Sequence, residues 1–340
     1  MSSPLLVSNG SAGKGGRILI VGATGFIGQF ITQASLDANR RTYILIRSFS
    51  DNFHPKIKII KEFEDKGAII LHGVINDQKF MEHMLRKHEI DIVISVVGGE
   101  GILDQLVLVQ AMKAVGTIKR FLPSEFGHEV DRSNPVEPGL NMYKQKRKVR
   151  RFIEEMKIPY TYICCNSIAS WPYYDNKHPS DVLPPLDHFQ IYGDGNVKAY
   201  FVAGADIGKF TIKAAEDNRT FNKCVHFRPK CNFLNMKEIA TLWENKIGKI
   251  LPRVTITEDV LLAIAAEKII PRSVVASLTH EIFIKGCQIG FSIDGKKDLE
   301  VCDLYPNESF CTMDECFNDF LLKMDEMLFQ FNYRLIEKTS

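Results

Sequence analysis

The chain has 340 residues, of which 45% are hydrophobic and 25% charged, the composition of an ordinary soluble globular protein. Its 43 lysines and arginines nearly balance its 41 aspartates and glutamates, so no global charge favours nucleic acid or a membrane as partner. The length is large for one hydrophobic core, which favours a cofactor-binding domain with a smaller companion.

The eight cysteines form no C-x-x-C pair, and Cys164 and Cys165 lie inside an apolar run. This pattern indicates reduced thiols in a cytoplasmic protein, with no metal site and no disulfide framework. The first residues contain no long apolar segment, so neither a signal peptide nor a membrane anchor is predicted. Residues 1–15 are rich in serine and glycine and are predicted to be a flexible leader.

From Arg17 onward, short apolar runs alternate with segments of helical length. Continuous apolar strands that alternate with helices predict an α/β fold with a doubly wound, Rossmann-type parallel sheet. We place an NADPH-binding Rossmann domain at residues 16–165. Residues 166–340 are assigned mainly to a smaller α/β domain that covers the substrate, although the chain could return to the sheet. The predicted strands are 17–22, 42–47, 68–73, 91–98, 119–123 and 160–165, with helices that include 25–36, 77–88 and 103–115.

A glycine-rich turn, GATGFIG at residues 22–28, follows the first predicted strand and opens a helix. Glycines at such a turn let the backbone approach a pyrophosphate, which then rests on the helix N-terminus. The alternative is a strand-to-helix turn without a ligand. The turn predicts a dinucleotide site, and its candidate contacts are Gly22, Thr24, Gly25, Phe26, Ile27 and Gly28.

The second predicted strand ends in Arg47, where NAD-binding folds usually have an acidic residue that contacts the ribose hydroxyls. An arginine there suits a 2′-phosphate, and Lys56 and Lys58 are close enough in sequence to help. The alternative is an arginine that only keeps the strand end soluble. The predicted cofactor is NADPH.

The basic stretch MYKQKRKVRR, residues 142–151, raises the question of whether one of its lysines is catalytic. On a helical wheel, Val149, Ile153 and Met156 fall within about 40° of Met142 and form an apolar seam. Lys146 lies at the edge of this seam, with Tyr143 on the adjoining flank. The residues predicted on the opposite, solvated face are Lys144, Arg147, Lys148 and Arg151.

A lysine that faces the protein interior loses hydration, which lowers its pKa toward the range of a general base. The alternative is a lysine whose ammonium group extends from the seam to the surface. Helix geometry alone leaves both interpretations of Lys146 open.

Several motifs resemble those of the plant NADPH-dependent reductases of phenolic compounds, an atypical branch of the short-chain dehydrogenases. They are GATGFIG, RFLPSEFG (120–127), VDR (130–132), VEPG (136–139) and KRKVRR (146–151). The family includes pinoresinol–lariciresinol, isoflavone, phenylcoumaran benzylic ether and leucoanthocyanidin reductases. RFLPSEFGHEVDR, ICCN (163–166) and SIASWPYYDN (167–176) are most similar to the leucoanthocyanidin group. The resemblance extends from Arg17 to about Leu321.

The resemblance implies that Lys146 is the catalytic lysine and that it also contacts the cofactor. It singles out His128 as a second catalytic residue, because the sister reductases generally lack histidine there; a histidine bonded to a neighbouring loop residue is the alternative. Typical short-chain dehydrogenases use Tyr-x-x-x-Lys, whereas this chain has Tyr143-x-x-Lys146. Tyr143 is therefore expected to pack beside the substrate, not to act as the acid.

Further contacts are expected where strands end and where a later helix could cover the substrate. Asn166 follows the sixth predicted strand and is a candidate cofactor contact, with a turn role as the alternative. His280 and Phe283 belong to a predicted helix at 273–285, and core packing is the alternative for both. The remaining candidate substrate contacts are Met142, Ser167 and Ser170.

The resemblance implies that a flavan-3,4-diol loses its C4 hydroxyl group and accepts hydride, through a quinone methide, to become a flavan-3-ol such as catechin. Lys146 would be the base and His128 the acid. The chain departs from the family in having Thr279-His280-Glu281 for the usual Thr-His-Asp, and in a shorter carboxyl tail. These differences bear on specificity. The implied partners are a flavonoid substrate and other flavonoid-pathway enzymes.

Three other functions remain as alternatives. A sister reductase of isoflavonoids or lignans would keep Lys146 without an obvious need for His128. A non-catalytic, NADP-sensing regulator would need the glycines and Arg47 but no lysine on the seam. Nucleic-acid binding is the weakest alternative, because the basic run is short and confined to one face.

Overall fold

The computed structural model describes residues 16–47, 56–169 and 187–322. The predicted leader and Ser170 lie outside these residues. Within them, no helix has the length and apolar character needed to cross a membrane.

The first half of the chain builds a five-stranded parallel sheet. The predicted strands are confirmed to within a few residues at each end, because each is rich in apolar residues, most of which are buried. The strands are β1 (Arg17–Val21), β2 (Arg41–Ile46), β3 (Ile69–His72), β4 (Ile92–Ser95) and β5 (Arg120–Leu122). They lie in the order β3-β2-β1-β4-β5. β2 and β3 extend the sheet on one side of β1, and β4 and β5 extend it on the other, so the strand order reverses between β1 and β4.

Helices cover both faces of this sheet, which confirms the doubly wound fold. The helices of the first half are α1 (Phe26–Asp37), α2 (Lys56–Asp65), α3 (Gln78–Lys87), α4 (Gln105–Val115) and α5 (Gly139–Glu155). One core contains residues of α1 and α2, and the other contains residues of α3, α4 and α5. The sheet is apolar on both faces and therefore buried between two helical layers.

The sheet continues into strands from the second half of the chain. β6 (Thr161–Cys164) joins β5 through a parallel bridge between Phe121 and Tyr160. Next to β6 lies β10 (Lys223–His226), followed by β13 (Asp298–Glu300), both parallel. α6 (Gly204–Glu216) packs against α1, and α10 (Val301–Leu304) contributes to the same core. Residues after 165 are therefore shared between the sheet and a smaller unit.

The smaller unit has its own hydrophobic core, which includes Trp243 and Phe317. Its elements are β7 (Ser167–Ile168), β8 (Phe189–Tyr192), β9 (Lys198–Val202), β11 (Phe233–Asn235), β12 (Arg253–Ile256), α7 (Met236–Ile247), α8 (Glu258–Ala266) and α9 (Arg272–Phe283). The strands pair as β11-β9-β7 and as β12-β8. α9 also contacts α5, so this unit approaches the carboxyl ends of the large sheet.

Candidate active site

The glycine-rich turn joins β1 to α1 and forms the floor of a cavity. Gly22 has a φ of +83°, and a Cβ atom there would lie 2.6 Å from the carbonyl oxygen of Val96. A Cβ on Gly28 would overlap the carbonyl oxygen of Gly22. Both positions therefore need glycine. The N-cap of α1 is Gly25, which has no side chain to bond the first-turn N–H groups, so these donors suit an anionic ligand.

The cavity above this turn has a volume of about 590 Å³ and lies at the carboxyl ends of β1, β2, β3 and β4. Gly22, Thr24 and Gly25 line it, together with Arg47 and Lys56. A crevice at the point where the strand order reverses is where open α/β sheets bind ligands. The volume, the free helix terminus and the basic side chains fit a dinucleotide that carries an additional phosphate.

The side chains of three residues predicted to contact or assist the cofactor are not among those that line the cavity. Phe26 packs edge-to-face on Phe30, with ring centroids 5.3 Å apart, and Ile27 packs against the core, so only their backbone could meet a pyrophosphate. Lys58 is exposed, lies 3.9 Å from the carboxylate of Glu62 and is not among the residues that line the cavity.

Lys146 is a half-buried residue of α5. Its Nζ donates a hydrogen bond of 2.6 Å to the main-chain oxygen of Glu125. Glu125 follows Ser124, whose hydroxyl donates to the carbonyl oxygen of Val97 in the cavity wall. Burial of the amine lowers the pKa of Lys146, although the nearby Glu125 carboxylate acts in the opposite direction. A lysine with a lowered pKa is suited to accept a proton.

The helical wheel is right for most of this helix and wrong for Arg147. Lys144, Lys148 and Arg151 are exposed, as predicted. Arg147 is half-buried, and its guanidinium donates to the carbonyl oxygen of Val130 at 2.7 Å and to that of Ser133. The loop before α5 folds back over Arg147, and a wheel of one helix cannot contain that loop.

His128 and Tyr143 form a buried pair close to Lys146. The Nδ1 atom of His128 lies 2.6 Å from the Tyr143 hydroxyl, and its Nε2 atom has no hydrogen-bond partner among the described residues. Tyr143 packs against Val130 and against Leu278 of α9. Burial, reinforced by the charge of Lys146, lowers the pKa of His128 to about 3.

This lowered pKa bears on the predicted role of His128 as an acid. A general acid that is charged near neutral pH requires a pKa near the ordinary 6.5 of histidine. With a pKa of about 3, the ring is neutral at pH 7. The neutral imidazole can therefore donate a hydrogen bond but does not carry a second ring proton to give to the substrate.

Asn166 and Ser167 bond inside the protein. Asn166 has a φ of +60°, its main-chain N–H donates to Gly127 at 3.0 Å, and its side-chain amide donates to Phe227 at 2.9 Å. These bonds give Asn166 the turn role, and they hold the loop that carries His128. The hydroxyl of Ser167 accepts from the Gln288 amide at 2.7 Å.

The described contacts of His280 and Phe283 are those of core packing. The Nε2 atom of His280 lies 2.9 Å from the carboxylate of Glu258 on α8. Phe283 stacks on Tyr192 and Phe201, with ring centroids 5.5 and 6.3 Å away. Neither contact set includes Lys146.

Glu281, the residue that replaces the family aspartate, is also structural. Its carboxylate accepts from the main-chain N–H of Asn134 at 2.8 Å. α9 thus holds the loop that leads into α5.

Arg150 and Glu125 are charged residues buried next to Lys146, and the sequence analysis did not single them out. The Arg150 guanidinium bonds both carboxylate oxygens of Glu125, at 3.0 and 2.9 Å, and also reaches Glu129. On the wheel Arg150 falls at about 80°, close to Tyr143 at about 100°, which was a signal that it faces inward.

A group of metal-ligand residue types lies behind this network, where Glu129, Cys164, Cys224 and His226 place one atom each within 4.8 Å of one another. These residues form hydrogen bonds: Cys224 donates to Glu129 at 3.1 Å, and His226 lies 3.1 Å from Asp298. Burial raises the pKa of the Cys224 thiol well above its usual value. The group is a hydrogen-bonded cluster. That it binds no metal stays a prediction.

Comparisons with known proteins agree with this architecture. Residues 14–317 match the sequence model of the NmrA-like family. A leucoanthocyanidin reductase from Desmodium uncinatum is 62% identical over 305 residues, which cover 90% of this chain and 80% of that protein. A phenylcoumaran benzylic ether reductase from Ginkgo biloba is 42% identical over 90% of this chain and 99% of its own.

A solved structure of a leucoanthocyanidin reductase–NADPH complex from Vitis vinifera superposes with a TM-score of 0.86. That protein is 67% identical and is matched over 90% of this chain and 100% of its own. The chain therefore belongs to the NmrA-like family, among the plant leucoanthocyanidin, phenylcoumaran benzylic ether and isoflavone reductases.

Proposed function

We propose that the protein is an NADPH-dependent reductase that removes the C4 hydroxyl group of flavan-3,4-diols to give flavan-3-ols. The observation that carries the proposal is that Lys146 acts on the buried His128 and bonds Glu125, the neighbour of Ser124, whose hydroxyl donates to Val97 in the wall of the dinucleotide cavity. The similarity to leucoanthocyanidin reductases, one of them in complex with NADPH, supports the substrate class and the cofactor.

The cofactor is held by the glycine-rich turn and by basic side chains. The first-turn N–H groups of α1 receive the pyrophosphate, and Arg47 and Lys56 receive the 2′-phosphate. Bound NADPH supplies the hydride that reduces C4. The residues of this chain position the substrate, exclude water and move protons.

Lys146 begins the reaction by accepting a proton from a phenolic hydroxyl of the A ring. Because burial lowers its pKa, a larger fraction of its amine is neutral and able to accept that proton. The phenolate electrons then move toward C4, the bond from C4 to its hydroxyl oxygen breaks, and a quinone methide forms. A base in this role contributes roughly 10²–10⁴-fold to the rate.

His128 acts on the departing hydroxyl as a neutral hydrogen-bond donor. Nδ1 lies 2.6 Å from the Tyr143 hydroxyl, and in the tautomer in which that hydroxyl donates, the imidazole proton is on Nε2, the atom without a partner among the described residues. Neutral histidine serves as such a donor in other enzymes when its pKa is depressed. The proton that Lys146 has accepted completes the water molecule that leaves, so the elimination does not change the net charge of the protein. Addition of hydride at C4 regenerates the A-ring phenolate, which takes a proton from solvent to give the flavan-3-ol.

Product analysis tests this function directly. The protein is incubated with NADPH and, separately, with flavan-3,4-diols, lignans and isoflavones, and the products are identified by chromatography and mass spectrometry. We expect flavan-3-ols from the diols. Turnover of only a lignan or an isoflavone would assign the protein to a sister reductase, and NADPH binding without turnover of any substrate would favour a non-catalytic sensor.

We further infer a cytoplasmic location, because all eight cysteines are free thiols, as is usual in reducing compartments. An association with other enzymes of flavonoid synthesis is part of this proposal. Cross-linking in flavonoid-producing tissue, followed by identification of the linked proteins, would test it.

A further inference from the structure

Glu125 presents two different acceptors to α5. Its carboxylate accepts two hydrogen bonds from Arg150, and its main-chain oxygen accepts one from Lys146. We propose that Glu125 and Arg150 are a positioning pair for Lys146, in which Arg150 occupies the carboxylate and leaves only the carbonyl oxygen for the amine. The inference rests on the proposed role of Lys146 as the base.

Helix geometry brings Lys146 and Arg150 to the same partner. Residues four apart on a helix are neighbours on its surface, so both side chains reach Glu125 from one face of α5. The planar guanidinium matches the two oxygens of a carboxylate, which an ammonium group cannot do. Both side chains are almost inaccessible, with 3% and 1% exposed for Arg150 and Glu125. An unpaired charge at this depth would be costly, so the pair stays closed.

The surroundings of the pair fix the carbonyl oxygen relative to the cofactor cavity. The N–H of Ser124 donates to the Gln105 side chain at 2.8 Å, and the Ser124 hydroxyl donates to Val97 in the cavity wall. Arg150 is further held by Glu129 and by Asp131, the latter at 3.1 Å. The oxygen that orients Lys146 is therefore tied to the cavity on one side and to α5 on the other.

Of the titratable groups that act on the Lys146 amine, only Glu125 and Arg150 carry a charge near neutral pH. The groups that act on the amine are Glu125 before α5, Arg150 on α5, Cys164 and Cys165 at the end of β6, and His128, which is neutral. Burial raises the pKa of Cys165 to about 12. The hydrogen bond with Cys224 acts to lower the pKa of Cys164, yet burial leaves it raised. Both thiols are uncharged near neutral pH.

With the thiols and the histidine neutral, the Glu125 carboxylate raises the pKa of Lys146 and the Arg150 guanidinium lowers it. Their effects oppose each other, so burial determines the direction of the shift. Removing the carboxylate alone should lower the pKa of Lys146 further.

Two variants separate the charge of the pair from its geometry. Glu125→Gln keeps an oxygen for Arg150 and removes the negative charge, so the acidic limb of the kcat/KM–pH profile should move to lower pH. Arg150→Lys keeps the charge and loses the two-pronged contact, so kcat should fall by roughly ten- to a hundredfold with the limb near its wild-type position. KM for NADPH should change less than twofold in both.

Matched controls come from a solvated pair on another helix, α3, where Arg86 pairs with Glu82 at 3.3 Å. Glu82→Gln and Arg86→Lys make the same chemical changes and should leave kcat and the pH profile at wild-type values. Unfolding temperatures of all four variants establish that the fold is retained.

A second measurement does not depend on turnover. Competitive labelling of Lys146 with acetic anhydride across a pH series, read by peptide mass spectrometry, gives the titration midpoint of its amine without substrate. We expect a lower midpoint in Glu125→Gln than in the wild type. An unchanged midpoint in folded Glu125→Gln, or full kcat in Arg150→Lys, would overturn the positioning pair. A shifted midpoint in a protein that reduces none of the tested substrates would refute the proposed function and leave the pair standing.

Discussion

Lys146 differs from the lysines around it in where its amine lies. It donates to Glu125, whereas Lys144 and Lys148 are exposed. Lys146→Met keeps the length and the apolar packing of the side chain and removes the amine. We expect reductase activity to fall by roughly 10²–10⁴-fold, with NADPH affinity and unfolding temperature little changed. Lys144→Met and Lys148→Met should be nearly silent, and equal loss in all three variants would refute the assignment of Lys146.

Arg47 is expected to determine the choice between the two nicotinamide cofactors. It is exposed at the end of β2 and lines the cavity, where its guanidinium can pair with a 2′-phosphate. A charge-assisted hydrogen bond of this kind contributes about 1.5–3 kcal/mol. Arg47→Glu should therefore weaken NADPH binding at least tenfold and NADH binding much less, as measured by fluorescence titration. Equal affinity of the wild type for both cofactors would exclude this role.

His128 offers a test that separates a hydrogen-bond donor from a proton donor. His128→Asn keeps an N–H group near the C4 hydroxyl, whereas His128→Phe removes it. If the neutral ring acts as a donor, the phenylalanine variant should lose roughly 10²–10³-fold in kcat and the asparagine variant clearly less. A substrate with a thiolate leaving group at C4 should lose less in both variants. Equal losses in the two variants would contradict the donor role.

The sequence predicted a role for Lys146 but not the charges around it. The apolar seam of α5, a local property of the sequence, separated Lys146 from its neighbours, and the resemblance to a known family implied its catalytic role. Arg150 was missed because its burial depends on Glu125 and Glu129, which precede α5 by a full loop. A basic residue is normally assigned to solvent, and only tertiary structure shows the buried carboxylates that reverse this assignment.

The first turn of α1 shows how an element can require one residue type. A Cβ on Gly28 would overlap the backbone of Gly22, so Gly28→Ala must push α1 away from β1. Such overpacking typically costs 1–3 kcal/mol, and it displaces the N–H groups predicted to hold the pyrophosphate. We expect a lower unfolding temperature and weaker NADPH binding. Gly290→Ala, where the nearest atom is 3.8 Å away, is the control and should match the wild type in both measurements.

The elements of the first half were predictable because each strand is an apolar run with both faces covered. β10 and β13 were not predicted. They are only four and three residues long, and β10 reads Lys-Cys-Val-His, which carries little apolar signal. β10 is positioned by pairing with β6, and β13 by pairing with β10, through contacts between residues more than sixty positions apart, such as Cys164 with His226 and Cys224 with Asp298. Non-local pairing of this kind leaves no periodic trace in the sequence.

At the scale of the whole molecule, Asp298 connects three separate segments. Its carboxylate accepts a hydrogen bond from Arg132 and lies 3.1 Å from the Nε2 atom of His226. The hydrogen bond with His226, and after it the one with Arg132, lowers the pKa of Asp298 to about 2. A carboxyl with a lowered folded-state pKa stabilises the protein above its ordinary pKa, and this stabilisation is lost as pH falls through the lowered value.

The difference in unfolding free energy between the wild type and Asp298→Asn should therefore be constant above about pH 5 and shrink as the pH falls toward 2. Denaturant titrations at several pH values would measure it. A difference that does not depend on pH would show that Asp298 does not stabilise the fold through its charge.

The return of the chain to the large sheet also has a consequence for the protein while it is being synthesised. β6 acquires its neighbour β10 only after residue 226 has been made, and β13 follows at residue 300. Ribosomes add about 5–20 residues per second, so a nascent chain carries an unpaired, apolar strand edge for several seconds. We expect ribosome-bound chains stalled before β13 to be sensitive to protease and to bind chaperones. Resistance should then appear only after the last strand has emerged.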